Sequence, residues 1–391
     1  MRGREIGWVV LLAGLPLAPF LARLLRIPSE SMDLWHAQSL WAQAGTLCLA
    51  LVAWTSPARH TSTNWPVRLW GFYVIGTLLW LSTTWMMDNK TYHFPLMMFT
   101  AHLLLLLVFY HTATSTWTPE FLHQAVVAMT VVGLLLCVYG VLQALGFDQF
   151  FRTTIGQGGH GDEFPRNTRV IATIGNPSHF AAYLSMMAPG VLLLSKPWKM
   201  VGGVLMLLTI ALTKSWGGVL ALGIAVAWGL TTRWKWCLGY LMVCVCAVVV
   251  VYGAEPGYFS LSGRWQRWEL FWQLFNTKPL LGMGPGSVYS IVSQINDNNH
   301  PLYHWRHVHQ EWLQLGIEQG LIGVGLVGAI VLRSLKHAWD FRTHPLGLVL
   351  GMSLVAFLMN SLYNFPAHLW AVGVFGLVAV CGLEVLHADY V

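Results

Sequence analysis

The feature that most constrains this chain is a succession of long apolar runs that recurs from one end to the other. Crossing the hydrocarbon core of a bilayer takes about 20 mostly apolar residues in a helix. About twelve stretches meet that requirement: roughly 6–25, 36–54, 67–87, 94–112, 124–146, 172–194, 199–213, 215–231, 236–253, 311–334, 345–363 and 367–387. The runs are continuously apolar and rich in Leu and Gly. A transmembrane strand would instead alternate apolar and polar residues. The seventh and eighth runs are parted only by Lys214-Ser215, so they read either as two helices or as one kinked element. The first run is long and poorly flanked for a cleavable leader and reads as a retained helix.

Composition supports this. Only 10% of the 391 residues are charged and 55% are hydrophobic, whereas a soluble domain carries about 25% charge. A disordered chain, a collagen and a small disulfide scaffold are excluded on the same grounds. The expected fold class is an all-α polytopic membrane protein of about twelve transmembrane helices. A membrane domain over 1–253 holds spans one to nine, a large, partly helical periplasmic loop covers 254–310, and spans ten to twelve fill 311–391. All six cysteines fall inside spans, so neither a disulfide nor a metal site is expected from them.

A net charge of +6 invites a nucleic-acid reading. The positions of the 22 basic residues argue against one. With the N-terminus inside, eleven of them, from Arg2 and Arg4 to Lys336 and Arg342, fall on the cytoplasmic side. The short outer loops hold only Arg23, Arg26, Lys90 and Lys214. The remaining seven lie in two long outer segments, which the topology rule does not govern. Arg152, Arg166 and Arg169 are in 147–171; Arg264, Arg267, Lys278 and Arg306 are in 254–310. An anion at the outer membrane surface accounts for them better than a nucleic acid does.

The second of these segments is chemically dense. Ser262 reads as the polar cap of an amphipathic helix running to Asn276, with Trp265, Trp268, Phe271, Trp272 and Phe275 at spacings of three and four. Such a helix suits the membrane interface, with Arg264, Trp268 and Phe271 sharing a face. Gly282-Met283-Gly284-Pro285-Gly286 is a turn whose backbone can approach a ligand closely. The segment ends in His304-Trp305-Arg306-His307-Val308-His309-Gln310-Glu311. Three readings of that cluster stand side by side: a zinc site through His307 and His309, a surface cluster without chemistry, and an active site in which a neutral imidazole takes a proton from a hydroxyl.

Three ordered stretches then resemble the O-antigen ligase and polymerase superfamily of bacterial envelope glycosyltransferases. They are Ile174-Gly175-Asn176-Pro177-Ser178-His179; Gly263-Arg264 with Trp268 and Lys278-Pro279-Leu280-Leu281-Gly282-Met283-Gly284-Pro285-Gly286; and His309-Gln310-Glu311-Trp312-Leu313-Gln314 with Glu318-Gln319-Gly320. The tail Asn364-Phe365-Pro366-Ala367-His368 is similar as well. The resemblance implies a multi-pass protein of the bacterial inner membrane with both termini cytoplasmic and the active site periplasmic. It implies transfer of a glycan from a polyprenyl (undecaprenyl) pyrophosphate donor to an acceptor hydroxyl, with no metal, nucleotide or other cofactor. The acceptor is a lipid A core sugar in ligases, another lipid-linked glycan in polymerases, and a protein Ser or Thr in related enzymes. The Gly-Asn-Pro and His-Gln motifs favour the ligase.

On the residues that match, Arg264 and His309 become the catalytic candidates: a fork for the pyrophosphate and a base or positioner for the acceptor hydroxyl. Arg169, Lys214, Arg267, Arg306, His307, Trp268 and Asn176 are the candidate substrate-binding residues, and Glu311 a candidate partner orienting His309. Partners are the lipid-linked donor, the glycan acceptor and membrane lipids. One departure stands out: ligases commonly carry a Ser-Arg pair where this chain has Ser215-Trp216. A different class, a small-solute (bicarbonate-like) transporter, is also compatible with twelve helices. It lacks the expected repeat and the midplane charges.

Overall fold

The computed structural model describes residues 3–18, 44–45, 93–147, 169–231, 261–295, 300–302, 305 and 307–390. Among them every regular element is helical: α1 (Gly3–Gly14), α2 (His93–Thr116), α3 (Pro119–Ala144), α4 (Pro177–Met187), α5 (Lys196–Leu212), α6 (Trp216–Gly229), α7 (Leu261–Thr277), α8 (Ser287–Ser293), α9 (Glu311–Asp340), α10 (Pro345–Ser361) and α11 (Trp370–Tyr390). The helix starts follow local chemistry. A cap with a proline just inside the helix opens α3 (Thr118, Pro119), α4 (Asn176, Pro177) and α10 (His344, Pro345).

Three helices, Pro119–Ala144, Glu311–Asp340 and Ala371–Tyr390, are long and apolar enough to cross a membrane. Shorter apolar helices cover Glu5–Leu17, Leu103–Thr116, Trp216–Gly229 and Pro345–Ser361. The described residues therefore do not reach the expected twelve; spans 67–87 and 236–253, and all but residues 44–45 of 36–54, lie outside them. The run at 172–194 is not one helix. A turn with positive φ at Ala172 and Gly175 precedes α4, and a 3-10 stretch, Ala188–Leu193, follows it. The helical part still extends about 28 Å. The 199–231 region resolves into two helices, α5 and α6, parted by a turn at Lys214, whose φ is 50°.

The core sits where α4, α6, α10 and α11 meet. Small residues bring the backbones together: a Cβ on Gly218 of α6 would stand 2.5 Å from the Ala181 Cβ of α4. Buried hydroxyls and amides join the helices. Ser353 Oγ donates to Met186 O at 2.8 Å, and Asn360 Nδ2 donates to Ser185 Oγ at 2.9 Å. Elsewhere the surface is apolar rather than charged, as on α5, where Met200 is 76% exposed beside exposed Val204 and Leu207. Apolar surface on that scale is what a lipid-facing helix presents. The chain is a membrane protein by these features.

Candidate active site

The residues that the sequence places on the outer side converge at one end of the bundle. Helix α7 supplies the first group. Arg264, Arg267, Phe271 and Phe275 recur at steps of three and four and are buried on a common stripe. Trp265 (67% exposed) and Trp272 point the other way. The helix is already formed at Leu261, so Ser262 lies inside its first turn rather than capping it.

Burying two guanidinium groups is costly unless their donors are used. Arg267 is well provided for: its Nε donates to Pro301 O at 3.0 Å, and its guanidinium lies 4.6 Å from the Trp305 ring centroid. Arg264 is 7% exposed and donates from Nη1 to the Tyr363 carbonyl. Its buried Nε has no hydrogen-bond partner, and among the described residues no carboxylate pairs with it. Burial pushes its pKa down; Tyr363 opposes this and the like charge of Arg169 adds to it. An arginine stays cationic all the same. Arg264 is thus a buried cation without a counter-anion among the described residues.

The Tyr363 carbonyl that receives Arg264 is held from the bundle core. Tyr363 Oη donates to Asn360 Oδ1 at 2.7 Å, and its ring lies over Gly217, where a Cβ would come within 2.1 Å of it. Trp216 packs on the same ring at 5.0 Å. Trp216, at the position where the resemblance led to an expected arginine, is engaged in aromatic packing here.

Arg169 approaches from the segment before α4, which Gln143 Oε1 pins by accepting from Ile171 N and Ala172 N. Arg169 donates from Nε to Thr213 O at 2.9 Å and from Nη2 to Lys214 O at 3.0 Å. It braces the turn between α5 and α6, and Lys214 itself is exposed there. Asn176 is committed through Oδ1 to the start of α4, accepting from Ser178 N at 2.8 Å and His179 N at 3.3 Å. Arg306 lies outside the described residues.

The histidines gather around one ring, Phe365. His307 stacks on it at 4.2 Å and 12°. His309 meets it edge-on at 4.8 Å and also packs against Trp305 at 4.5 Å. His179, on the first turn of α4, is edge-on at 5.0 Å, and His368 completes the set at 6.5 Å. Burial first, and then the positive field of Arg264, hold the His309 pKa well below the usual imidazole value. His309 is a neutral imidazole at physiological pH, able to accept a proton. Its backbone is left-handed (φ 54°), a conformation that costs on the order of 1–3 kcal/mol outside glycine and so needs support. The support is at Val308. Trp268 Nε1 donates to Val308 O at 3.0 Å, and Val308 N donates to Gln314 Oε1 at 3.1 Å.

Two expectations change. Glu311 does not reach His309: its Oε1 lies 2.9 Å from His368 Nδ1, and its Oε2 accepts from Ala367 N at 3.2 Å. The glycine turn approaches the chain itself. Helix α9 is broken at Gly320 (φ 64°, ψ −173°), which strands backbone groups inside a membrane-length helix. The turn satisfies them: Met283 N donates to Ile317 O at 2.7 Å and Gly284 N to Glu318 O at 2.9 Å, while Leu321 N donates to Pro279 O at 2.8 Å and Ile322 N to Leu280 O at 3.3 Å. A Cβ on Gly282 would stand 2.5 Å from the Glu318 carbonyl carbon, so the approach requires glycine.

His179, Gln314, Phe365 and His368 were not singled out as site residues from the sequence, although all four lie in the motif stretches. Among the described residues, no three His, Cys, Asp or Glu side chains converge as metal ligands.

A family model described as O-antigen ligase matches residues 201–328, about a third of the chain. The match runs from α5 to the middle of α9 and so includes Arg264, Arg267, Trp268, His307 and His309. No curated protein matches the chain. The stretch that carries the buried arginine and the imidazole cluster is thus similar to the O-antigen ligase family.

Proposed function

We propose that this protein is a glycosyltransferase of the bacterial inner membrane. It moves a glycan from a polyprenyl pyrophosphate donor to an acceptor hydroxyl at the periplasmic face, and it works as an O-antigen ligase with a lipid A core acceptor. The observation that carries this reading is Arg264: a buried cation, flanked by Arg169 and without a carboxylate partner among the described residues, beside a neutral His309. A pyrophosphate supplies the missing negative charge, and the arginine fork suits its oxygens.

In this reading the donor's pyrophosphate lies against Arg264, with Arg169 and Lys214 at the periphery. The acceptor oxygen attacks the anomeric carbon as the bond from that carbon to the phosphate oxygen breaks. The electron pair leaves on the pyrophosphate, where Arg264 stabilises it. The hydroxyl proton passes to His309. Such a single displacement inverts the anomeric centre, and no step calls for a metal. Trp268 and Arg267 serve by holding the segment that carries His309.

The test is surface-glycan profiling of cells carrying Arg264→Ala or His309→Ala, with the amount of protein in the membrane measured alongside. The expected result is lipid A core without attached glycan at normal protein levels. An unchanged glycan profile in both variants overturns the site assignment. Glycan still attached to core but reduced to single repeats points to polymerisation instead, and retention of anomeric configuration overturns the single displacement.

A further inference from the structure

Gln314 is fully buried on the first turns of α9 and makes contacts in four directions. Its Oε1 accepts from Val308 N, which fixes which way the amide faces. Its NH2 group therefore points to Glu318 Oε1 at 3.2 Å, His368 Nε2 at 3.1 Å and His307 Nδ1 at 3.4 Å. The amide has two hydrogens for these three acceptors. His368, in the turn between α10 and α11, has Glu311 Oε1 2.9 Å from its other nitrogen, an ion-pair contact. The contacts form an unbroken series: Glu311, His368, Gln314, then the Val308 peptide that precedes the left-handed His309.

We infer that Glu311 and His368 are positioning residues for the transfer reaction, acting through the Gln314 amide to hold His309 in its strained turn. This rests on the glycan-transfer reading of the site. His368 accepts from Gln314 only while its Nε2 is bare, with the proton on Nδ1 facing Glu311. Burial opposes its charge, but Glu311 and the more distant Glu318 outweigh burial and place its pKa above the usual imidazole value. The hold on Gln314 is therefore complete at alkaline pH and weakens as pH falls through that raised pKa. Among the described residues, the charged and titratable groups around His368 are Glu311 and Glu318 from α9, His307 and His309 from the preceding segment, His179 across Phe365 from α4, and Arg264 beyond them on α7. Helix α10 carries no titratable residue, and those of α11 begin only at Cys381, about three turns on.

The test combines kinetics with backbone exchange on the full-length protein in proteoliposomes. His368→Ala and Glu311→Ala are expected to lower kcat about 100-fold, the scale of a small misplacement of a reacting group, with the donor KM within twofold because Arg264 is untouched. Glu311→Gln keeps an acceptor for Nδ1–H but removes the charge that raises the His368 pKa, so the acid limb of the rate profile is expected to move to lower pH. A role in folding alone lowers the amount of folded protein without moving that limb. Hydrogen exchange provides a readout independent of activity: in His368→Ala the Val308 amide is expected to exchange faster than in the wild type. Wild-type kcat, or an unmoved acid limb, or an unchanged Val308 amide overturns the inference. A wild-type protein that transfers no glycan while the His368→Ala exchange rises as expected refutes the transfer reading and leaves the positioning contact standing.

Discussion

Replacing Arg264 by methionine separates what this residue does for the fold from what it does for the reaction. Two opposing contributions are lost with the guanidinium. The Tyr363 carbonyl loses its donor, which costs about 1–3 kcal/mol for a buried acceptor. The cost of burying a cation that has an orphaned Nε and, among the described residues, no carboxylate partner is relieved, and that cost is on the order of several kcal/mol even after relaxation. Methionine has a similar volume for the space beside Tyr363 and adapts its shape readily. The net expectation is a variant as stable as the wild type or more stable by about 1–2 kcal/mol. Its transfer rate, deprived of the main stabiliser of the leaving pyrophosphate, is expected to fall about 10³-fold, as when one preorganised donor is removed from an active site. The assay is thermal unfolding in detergent together with initial rates at saturating donor. A variant that unfolds several degrees lower while retaining activity refutes the reasoning, since Arg264 would then be a structural residue.

Three further outcomes follow from the same geometry. By NMR of ring-labelled histidine, His309 should titrate well below 6.5, and Arg264→Met should raise its midpoint by removing a positive neighbour; a wild-type midpoint at or above 6.5 contradicts the neutral-imidazole assignment. Gly320→Ala should destabilise the protein by at least about 3 kcal/mol, because a Cβ would stand 2.2 Å from Leu280 O on a backbone of positive φ; an unchanged melting temperature contradicts the account of the α9 break. Asn176→Ala should cost about 1 kcal/mol through the lost cap on α4, and donor KM changes much larger than the stability loss would give Asn176 a substrate role as well.

Much of this was readable before any coordinates. The helix that carries Arg264 showed in the three- and four-residue recurrence of its aromatics, and the shared face of Arg264, Trp268 and Phe271 followed from helical period alone. Counting charges per loop led to the expectation that Arg169, Lys214, Arg264 and His309 share one side, and these residues do meet at one end of the bundle. What was not readable depends on contacts distant in sequence. Glu311 is two residues from His309 and was paired with it, yet it reaches across 57 positions to His368. The glycine turn is legible as a place of close approach, but periodicity carries no sign of the break at Gly320, so the sequence does not reveal that its partner is the chain itself. Asn176 and Trp216 lie in stretches that read as functional; their visible contacts are a helix cap and an aromatic stack. Phe365 lies in the family-like tail, but its place at the centre of the site shows only when four imidazoles are seen around it.

The central claim is that the buried Arg264 and the neutral His309 form a site for glycan transfer from a lipid pyrophosphate. Its most direct test is a purified system: the wild-type protein in proteoliposomes with a polyprenyl-pyrophosphate-linked glycan and lipid A core, in the presence of a chelator, with the product analysed by mass spectrometry and NMR. The account predicts glycan joined to the core with inverted anomeric configuration, released polyprenyl pyrophosphate in equal amount, and neither product with Arg264→Met. Absence of both products from well-folded wild-type protein, or undiminished transfer by Arg264→Met, would contradict it.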